Sequence, residues 1–468
     1  MLPMKPLSLT RAVPVWPRSL ACAAVTAAAL TLLGCATAPP PSGAADAADI
    51  STAAPPPLTH IDWWASFGDP LLSQLVTQAL QANTSVRSAQ TALQQSRALR
   101  DVRSASAGPS LSLSGSAGRS QTEFTDASNS FKAGLDARWE MDIFGANRSS
   151  ISASEADTQV AASSLRDVQV SIAAEVALAY IQLRGSQAQL TIAQSNLSSQ
   201  QETLQITQWR AQAGLVTSLE VEQAQSAAAQ TASQIPALQS SEAKTRHSLA
   251  VLTGQRPLEL DSLLLPARPV PQVAQDVAEK IPADTLRQRA DVRAAEHRIS
   301  AALARVDAAD AARYPSFNLG GSLALSALTL AGLTNGATLA SSLLGSVSVP
   351  LFDGGAAKSQ VLAQEAALEQ TRAAYQATVL TALKDVEDAL TALKNDRERL
   401  NLQQLAASSA SNAALLAQNR YTSGLIDFQT VLQTQRTLLG TQDSVASLQA
   451  EISADHVRLV KSLGGGWQ

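Results

Sequence analysis

The strongest structural signal in this chain lies at residues 131–143, which read FKAGLDARWEMDI. Every second position is apolar: Phe131, Ala133, Leu135, Ala137, Trp139, Met141 and Ile143. The positions between them are mostly charged: Lys132, Gly134, Asp136, Arg138, Glu140 and Asp142. Because successive side chains of a β-strand point to opposite faces, this alternation predicts a strand with one apolar face and one charged face.

The length of this strand indicates a membrane. Its thirteen residues would extend about 43 Å at ~3.3 Å per residue, whereas a tilted strand crosses a bilayer with about 9–11 residues. The chain offers four such strands, in pairs at about 109–143 and 315–351. A closed barrel needs at least about eight strands, because an open edge cannot face lipid. Several copies must therefore share one barrel.

The charged face of the strand then has a predicted position. A barrel that excludes lipid from its interior fills that interior with water, so the charged side chains are predicted to line the lumen. These residues are Lys132, Asp136, Arg138, Glu140 and Asp142.

Very long helices follow the strands. Residues 356–422 contain no glycine and no proline, and residues 146–213 contain the single glycine Gly185. Each run of about 67 residues would be ~100 Å long at ~1.5 Å per residue, against about 11–12 residues for an average globular helix. Shorter helical patterns are predicted at 71–107, 217–253 and 427–463. The fold class is therefore mainly α with a β part.

The sequence contains two copies of one unit. Residues 84–109 align with residues 290–315 at an offset of 206, including a Pro-Ser pair at the end of each segment. Ile143-Phe144 matches Leu351-Phe352, and Gly214-Leu215 matches Gly424-Leu425. Each half thus reads helix, two strands, long helix, short helix. The predicted divisions are a signal peptide (1–34), a lipidated Pro/Ala-rich tether (35–57), the first repeat (58–255), a Pro-rich linker (256–283), the second repeat (284–463) and a tail (464–468).

The N-terminus has the pattern of an export signal. Arg11 and Arg18 precede an apolar run that is too short for a convincing transmembrane helix. The run ends in LLGC, which resembles a bacterial lipobox and predicts lipidation, for example with palmitate, at Cys35. The second mature residue is Ala36 rather than an aspartate, which favours the outer membrane. The alternative is an ordinary signal peptide in which Cys35 occurs by chance.

The composition argues against several classes of protein. Two cysteines and four histidines leave no disulfide framework and no Cys/His metal site, and no cofactor is predicted. A net charge of -4 without a basic cluster gives no electrostatic support for a nucleic-acid partner. The sequence has no zinc-protease, nucleophile-elbow or P-loop motif, and its histidines share no ligand spacing. An enzyme is therefore disfavoured.

Several short motifs resemble those of the outer membrane factor family, which includes TolC-like proteins and OprM/NodT-like lipoproteins. The resemblance covers nearly the whole mature chain. Its motifs are Trp63-Trp64 with Phe67-Gly68-Asp69-Pro70, ADVRAAE at 290–296, Tyr314-Pro315-Ser316, WEMDIFG at 139–145, VPLFDGG at 349–355, and Arg420-Tyr421 through Gly424-Leu425 to Gln435-Arg436.

This resemblance implies a homotrimer whose twelve strands form one outer-membrane barrel in contact with lipid, above a periplasmic tunnel of helices. It also implies two partners, a periplasmic adaptor (membrane fusion) protein and an inner-membrane pump of the RND type, and the export of small molecules such as drugs. The periplasmic tips that meet the adaptor would be Gly214, Leu215, Val216, Thr217, Gly424, Leu425, Ile426 and Asp427.

One feature of the family is altered in this chain. The family tends to place acidic residues a few positions past the second tip, where they form a constriction that binds cations. Those positions here are Thr430 and Gln433, and Asp427 is the acidic residue nearby. The sequence therefore does not decide whether this chain forms an acidic gate ring.

Two other functions remain open at the level of sequence. A type I protein secretion duct would have the same architecture with a different pump. A structural coiled-coil lipoprotein would explain the long helices, but neither the alternating strands nor the repeat.

Overall fold

In the computed structural model, which describes residues 62–122, 125–273 and 287–465, eight α-helices and four strands follow one another in two similar halves. The predicted signal peptide, Cys35 and the tether lie outside the described residues, as do residues 274–283 of the predicted linker and the first three residues of the predicted second repeat, 284–286. None of the helices in the described ranges is long and apolar enough to cross a membrane.

The first half comprises α1 (Pro70–Ala82), α2 (Thr84–Ser106), β1 (Ser110–Thr122), β2 (Thr125–Met141), α3 (Ala146–Gln212) and α4 (Ser218–Leu252). The short helix α5 (Asp261–Leu264) lies between the halves. The second half comprises α6 (Ala290–Ala311), β3 (Ser316–Ala327), β4 (Thr338–Ser348), α7 (Ala356–Thr422) and α8 (Phe428–Ser462). The predicted fold class, mainly α with four strands and two internal repeats, is confirmed.

The two long helices are alike in length and in how they begin. Helices α3 and α7 each contain 67 residues, and α4 and α8 each contain 35. Gly145 and Gly355 precede α3 and α7 with a φ of 88°, a conformation that glycine adopts without steric cost. Both halves therefore enter their long helix through the same backbone turn.

The predicted helix at 71–107 is wrong in one respect, because it is broken at Asn83. This residue is extended, with φ −64° and ψ 133°, and its side-chain oxygen accepts a hydrogen bond from the amide of Ser85 at 2.8 Å. Asparagine favours this N-cap position because its side chain replaces a missing backbone acceptor. The Asn83 amide nitrogen also donates to the carbonyl of Leu252 at 2.9 Å, which ties the break to the end of α4.

The four strands form one antiparallel sheet in the order β1-β2-β3-β4. Strand β2 starts six residues before the predicted alternation at 131–143 and ends at Met141, two residues short of it. Within the described sheet, β1 and β4 each have one edge with no strand beside it. Such an edge exposes a row of backbone hydrogen-bonding groups.

The main apolar core lies around the middle of α3. Trp63, Trp64 and Phe67 form a short 3₁₀-helix and are buried against it. Asp69 caps α1 and also accepts a hydrogen bond of 2.6 Å from the Tyr180 hydroxyl of α3. Burial and this bond raise the pKa of Tyr180 to about 12. The WWASFGDP motif thus anchors the start of the described chain to the long helix.

Candidate functional site

The two turns that end the long helices have one backbone geometry. Gly214 and Gly424 have positive φ angles of 71° and 73°. In each turn the amide after the glycine donates to a carbonyl five residues earlier: Leu215 to Arg210 and Leu425 to Arg420, both at 2.9 Å. This pattern of a left-handed glycine closing the last turn is a common helix C-cap. The repeat predicted from sequence is therefore reproduced in the turns.

The predicted tip residues differ in exposure. Leu215 and Leu425 are 68% and 74% exposed, although both are large and apolar. The glycines and Thr217 are also exposed, whereas Val216 and Ile426 are half-buried. Each turn thus presents a leucine to its surroundings.

The acidic residue of the second turn is held by its own helix. Asp427 is the N-cap of α8, and its Oδ1 accepts hydrogen bonds from the Thr430 hydroxyl at 2.6 Å and the Thr430 amide at 2.9 Å. These two hydrogen bonds, the hydroxyl one first, hold the pKa of Asp427 below its ordinary value. Thr217, at the same place in the first turn, makes no capping bond with its side chain.

A contact between the two halves lies just behind the turns. The guanidinium of Arg210 on α3 lies over the ring of Tyr421 on α7, and its Nη1 donates to the Tyr421 carbonyl. The Tyr421 hydroxyl donates to Glu220 Oε2 on α4 at 3.1 Å. These three residues are called the tip latch below. They connect α3, α4 and α7, and burial raises the pKa of Tyr421, so its hydroxyl keeps its proton near neutral pH.

An apolar cluster supports the tip latch. The Tyr421 ring lies 5.4 Å from the Phe428 ring of α8. Buried side chains from α4, α7 and α8 surround the pair: Ala224, Ala227, Ala417, Val431 and Leu432. Tyr421 lies in one of the family motifs of the sequence, but the sequence does not predict that Arg210 and Glu220 contact it, because neither lies near Tyr421 along the chain. The sequence signal available was a lone aromatic residue at the end of an alanine-rich helix.

The sheet has one polar face and one apolar face. Asp136 lies opposite Ser112 and Ser322 and accepts a hydrogen bond from Ser114 at 3.1 Å. Lys132, Arg138 and Glu140 lie on the same face as Asp136, opposite serine, glycine and asparagine of the neighbouring strands. The opposite face carries exposed leucines, including Leu113 and Leu343, each 79% exposed.

Asp142 differs from the other predicted lumen residues. It lies one residue past the end of β2, and its carboxylate accepts hydrogen bonds from the amides of Asn147 and Arg148 at 3.1 and 2.9 Å. It therefore satisfies free amides in the first turn of α3, a place where a negative charge is favourable. The prediction that charged side chains line the lumen therefore now concerns the four such residues within β2: Lys132, Asp136, Arg138 and Glu140.

No group of three or more His, Cys, Asp or Glu side chains in the described ranges is arranged to hold a metal ion. The main features of the described structure are a sheet with one polar and one apolar face and the two 67-residue helices that follow its strands. The family model for outer membrane efflux proteins matches residues 75–255 and 281–465, one segment in each half.

The chain belongs to the outer membrane efflux protein family. It is 32% identical over 473 residues to the pyoverdine export outer membrane protein OpmQ of Pseudomonas putida, an alignment covering 94% of this chain and 96% of that protein. It is 30% identical over 409 residues to nodulation protein T of Rhizobium leguminosarum bv. viciae, covering 86% of this chain and 84% of that protein.

Solved structures of outer-membrane channels have the same fold. The channel OprN matches with a TM-score of 0.82 and 34% identity, over 92% of this chain and 98% of OprN. VceC from Vibrio cholerae matches with a TM-score of 0.81 and 26% identity, over 87% of this chain and 99% of VceC. The efflux family member described here is thus an outer-membrane channel with the TolC-like fold.

Proposed function

We propose that three copies of the chain form one efflux duct, each giving four strands to a twelve-stranded barrel. The observation that carries this proposal is the sheet with one apolar face, one charged face and two open edges. An open edge is not tolerated in lipid, and four strands do not close a barrel. Pairing β4 of one copy with β1 of the next removes every open edge.

In this duct the polar face of the sheet lines the lumen. Lys132, Asp136, Arg138 and Glu140 then face water, and the exposed leucines of the other face contact lipid. Carboxylates and cationic groups alternate along the strand, so both signs of charge meet the passing solute. Such a lining suits a passive path for small molecules of varied chemistry.

The opposite end of the helices is the proposed docking site. A periplasmic adaptor protein and an inner-membrane RND-type pump would meet the tips, because the exposed leucines there offer apolar contact. The tip latch lies directly behind these leucines and holds together the two helical hairpins of one chain, α3 with α4 and α7 with α8. We infer that the tip latch keeps the tips in a closed arrangement until the partners bind. Solutes are delivered from the pump and leave through the barrel.

Lipid attachment at Cys35 is a further part of the proposal. Several acyl chains anchor a protein stably, whereas one binds only marginally. The anchor would hold the chain at the outer membrane while three copies assemble, and the barrel would supply the permanent attachment.

The proposal is tested on the purified full-length protein in detergent and in planar bilayers. Native mass spectrometry is expected to give a trimer, and single-channel recording is expected to give ion conductance. D136K is expected to shift the cation-to-anion selectivity toward anions, whereas D136E, which keeps the charge, leaves it unchanged. A stable monomer would overturn the proposed trimer. An unchanged cation-to-anion selectivity in D136K would overturn the proposed position of Asp136 in the lumen.

A further inference from the structure

The start of α6 meets the end of α8 in the same way as the corresponding segments of the first half meet. Asn83 donates to the carbonyl of Leu252 at 2.9 Å, and Arg289 Nη1 donates to the carbonyl of Ser462 at 2.8 Å. The two pairs are related by the repeat offsets of 206 and 210 residues. Arg289 Nη2 also donates to Asp291 at 2.8 Å. The second half therefore makes the same contact with a charged side chain.

Arg289 lies in the wall of a cavity of about 470 Å³ between α3, α6, α7 and α8. Cavities that bind small molecules are typically ~300–1,000 Å³. Asp388 of α7 also lines the cavity and lies 34 residues before the end of α7 at Thr422. This separation is about 50 Å at ~1.5 Å per residue. The cavity is therefore distant from the tip turns and is not part of the proposed docking site.

The cavity contains more negative than positive groups. Seven carboxylates and three cationic side chains line it. Two further cations, Lys384 and Arg399, lie outside the cavity and pair with the lining residues Asp388 and Asp396, both at 2.6 Å. Among the described residues, the lining groups and their ion-pair partners together carry two negative charges in excess. A ligand with two positive charges would balance them.

One of the lining carboxylates is buried and only half paired. Asp455 of α8 is 1% exposed. Its Oδ1 accepts a hydrogen bond from Arg458 at 2.6 Å, whereas its Oδ2 is buried and has no hydrogen-bond partner among the described residues. Burial raises the pKa of Asp455 although Arg458 lies beside it. Because an unsatisfied buried acceptor is unfavourable, this oxygen indicates that a cationic partner belongs in the cavity.

The fold itself does not require these charges. Four of the lining carboxylates on α7 and α8 are Asp388, Asp396, Glu451 and Asp455. The residues 210 positions earlier, in the first half, are all neutral: Leu178, Ser186, Ser241 and Thr245. The lining carboxylate Asp385 does have an acidic counterpart, Glu175. Since equivalent helices of the first half pack around mostly neutral side chains, helix packing does not account for the acidic cavity.

The arrangement of the carboxylates favours an organic cation over a metal ion. Within the part of the chain that the structure describes, no three His, Cys, Asp or Glu side chains are placed to share one metal ion. The cavity wall also includes the apolar side chains Val170, Ala389 and Ala392. Small-molecule sites combine apolar walls with a few placed polar groups. A linear diamine matches this wall, because an aliphatic chain separates its two charges.

We propose that this cavity binds one linear aliphatic diamine per chain. Carboxylates of α7 and α8 neutralise its two ammonium groups, and its aliphatic chain contacts the apolar part of the wall. The ligand thereby connects the two helices and removes the excess negative charge between them. A ligand that binds the folded chain also stabilises it. The inference does not depend on the proposed trimer, because the cavity lies within one chain.

Isothermal titration calorimetry on the full-length protein in detergent tests the site, with putrescine as the probe. We expect one putrescine per chain, with a Kd below about 1 mM. Butylamine has the same aliphatic chain with one charge, and Mg²⁺ has the same charge without the chain. Both are expected to bind at least about tenfold more weakly than putrescine. Equal binding of butylamine or of Mg²⁺ would overturn the assignment of a diamine.

Three variants locate the binding within the protein. D455N and D388N each remove one lining charge with little change of shape, and each is expected to weaken putrescine binding at least about tenfold. E387Q is the matched control, because Glu387 is exposed, lies beside Asp388 on α7 and does not line the cavity. Its affinity is expected to be unchanged. Asp388 is exposed, so D388N provides the test even if the buried substitution D455N prevents folding.

Thermal unfolding provides a second measurement. Putrescine is expected to raise the unfolding temperature of the unaltered protein and of E387Q, and to raise that of D388N less at the same concentration. Absence of putrescine binding to the unaltered protein, or equal binding to D388N and E387Q, would overturn the proposed site. A protein that binds putrescine as expected but remains a monomer keeps this inference and overturns the proposed function instead.

Discussion

The guanidinium carbon of Arg210 lies 4.4 Å from the centre of the Tyr421 ring, although 211 residues separate them in sequence. A cation over an aromatic face contributes about 0.5–1 kcal/mol when exposed and ~2 kcal/mol or more when desolvated. This contact joins the first hairpin of the chain to the second at the end distant from the sheet. The contact between Arg210 and Tyr421 therefore contributes to holding the two halves together at the tips.

The first prediction concerns this tip latch. Y421F keeps the ring over Arg210 but removes the hydroxyl that donates to Glu220. Hydrogen bonds to charged groups contribute about 1.5–3 kcal/mol, so the closed tips are expected to open more often. Single-channel recording should show open events several-fold more frequent for Y421F than for the unaltered protein. E220Q, which weakens the same bond from its acceptor, should change the recording in the same direction; an unchanged recording for both variants would refute the role of the bond.

The second prediction concerns the cap of α8. D427A removes the acceptor of the Thr430 amide, whereas D427N retains a side-chain oxygen suited to the N-cap position. Hydrogen–deuterium exchange at the first turn of α8 is expected to accelerate in D427A and to stay near normal in D427N. Equal exchange in the two variants would show that the cap contributes nothing.

The pH dependence of this cap follows from the lowered pKa of Asp427. A carboxyl whose folded-state pKa lies below its unfolded value of about 3.9 stabilises the fold fully above that value. The stabilisation is lost as the pH falls through the lowered folded-state pKa. Protection of the Thr430 amide is therefore expected to be constant from about pH 7 down to about pH 5, and to fall only in stronger acid. Loss of protection already near neutral pH would contradict the assignment.

The third prediction concerns the exposed leucines of the turns. L215D and L425D place a charge where an adaptor is proposed to make apolar contact, so transport is expected to fall to background while trimer and membrane insertion persist. L330D is the matched control, because Leu330 is as exposed as Leu215, at 68%, but lies in the β3–β4 connection. Efflux assays with the cognate pump, together with native gels, measure both properties. Normal transport by both tip variants would place the docking surface elsewhere.

The fourth prediction concerns the anchor. C35S is expected to abolish lipidation, so mass spectrometry of the mature N-terminus should show acyl chains on the unaltered protein and none on the variant. C22S lies within the predicted signal peptide and should leave the modification intact. An unmodified Cys35 in the unaltered protein would exclude the lipoprotein assignment.

The fifth prediction compares two glycines inside helices. Gly185 of α3 is pressed against Ala450, whereas a Cβ at Gly440 of α8 would meet nothing within 4 Å. Alanine is favoured over glycine in a helix by about 1 kcal/mol, but overpacking costs about 1–3 kcal/mol. G440A is therefore expected to raise the thermal unfolding temperature and G185A to lower it. A rise in both variants would show that α3 and α8 separate readily.

Periodicity predicts the parts of this fold that are determined locally. The alternation at 131–143 predicts β2, and the glycine-free run at 356–422 predicts α7, because each pattern matches the geometry of its own backbone. The break at Asn83 is tied in place by a hydrogen bond to Leu252, which lies far away in sequence, so periodicity alone does not predict it. The alternation also continues to Ile143, past the end of β2 at Met141, because a side-chain pattern does not show where strand pairing stops.

In the candidate site, too, the sequence predicts the features that form locally but not the contacts between distant segments. Both tip turns are predictable, since Gly214 and Gly424 interrupt long helical patterns and recur at the repeat offset. The partners of Tyr421 are not, since Arg210 and Glu220 reach it only after the two hairpins pack. No local pattern distinguishes Arg210 of the tip latch from Arg420, its repeat counterpart.

Because α3 and α7 have equal lengths, the length of each helix sets the level at which its turn lies. Removing one residue from a helix shortens it by about 1.5 Å and rotates everything beyond by about 100°. A one-residue deletion in α7 would rotate part of its exposed leucine surface by that angle and raise the Gly424 turn relative to the Gly214 turn. In the proposed trimer, the six turns would then no longer end in one plane, and a solute path closed there would leak. The long helices are thus expected to accept many substitutions but few insertions or deletions, because their function depends on their length more than on the identity of each side chain.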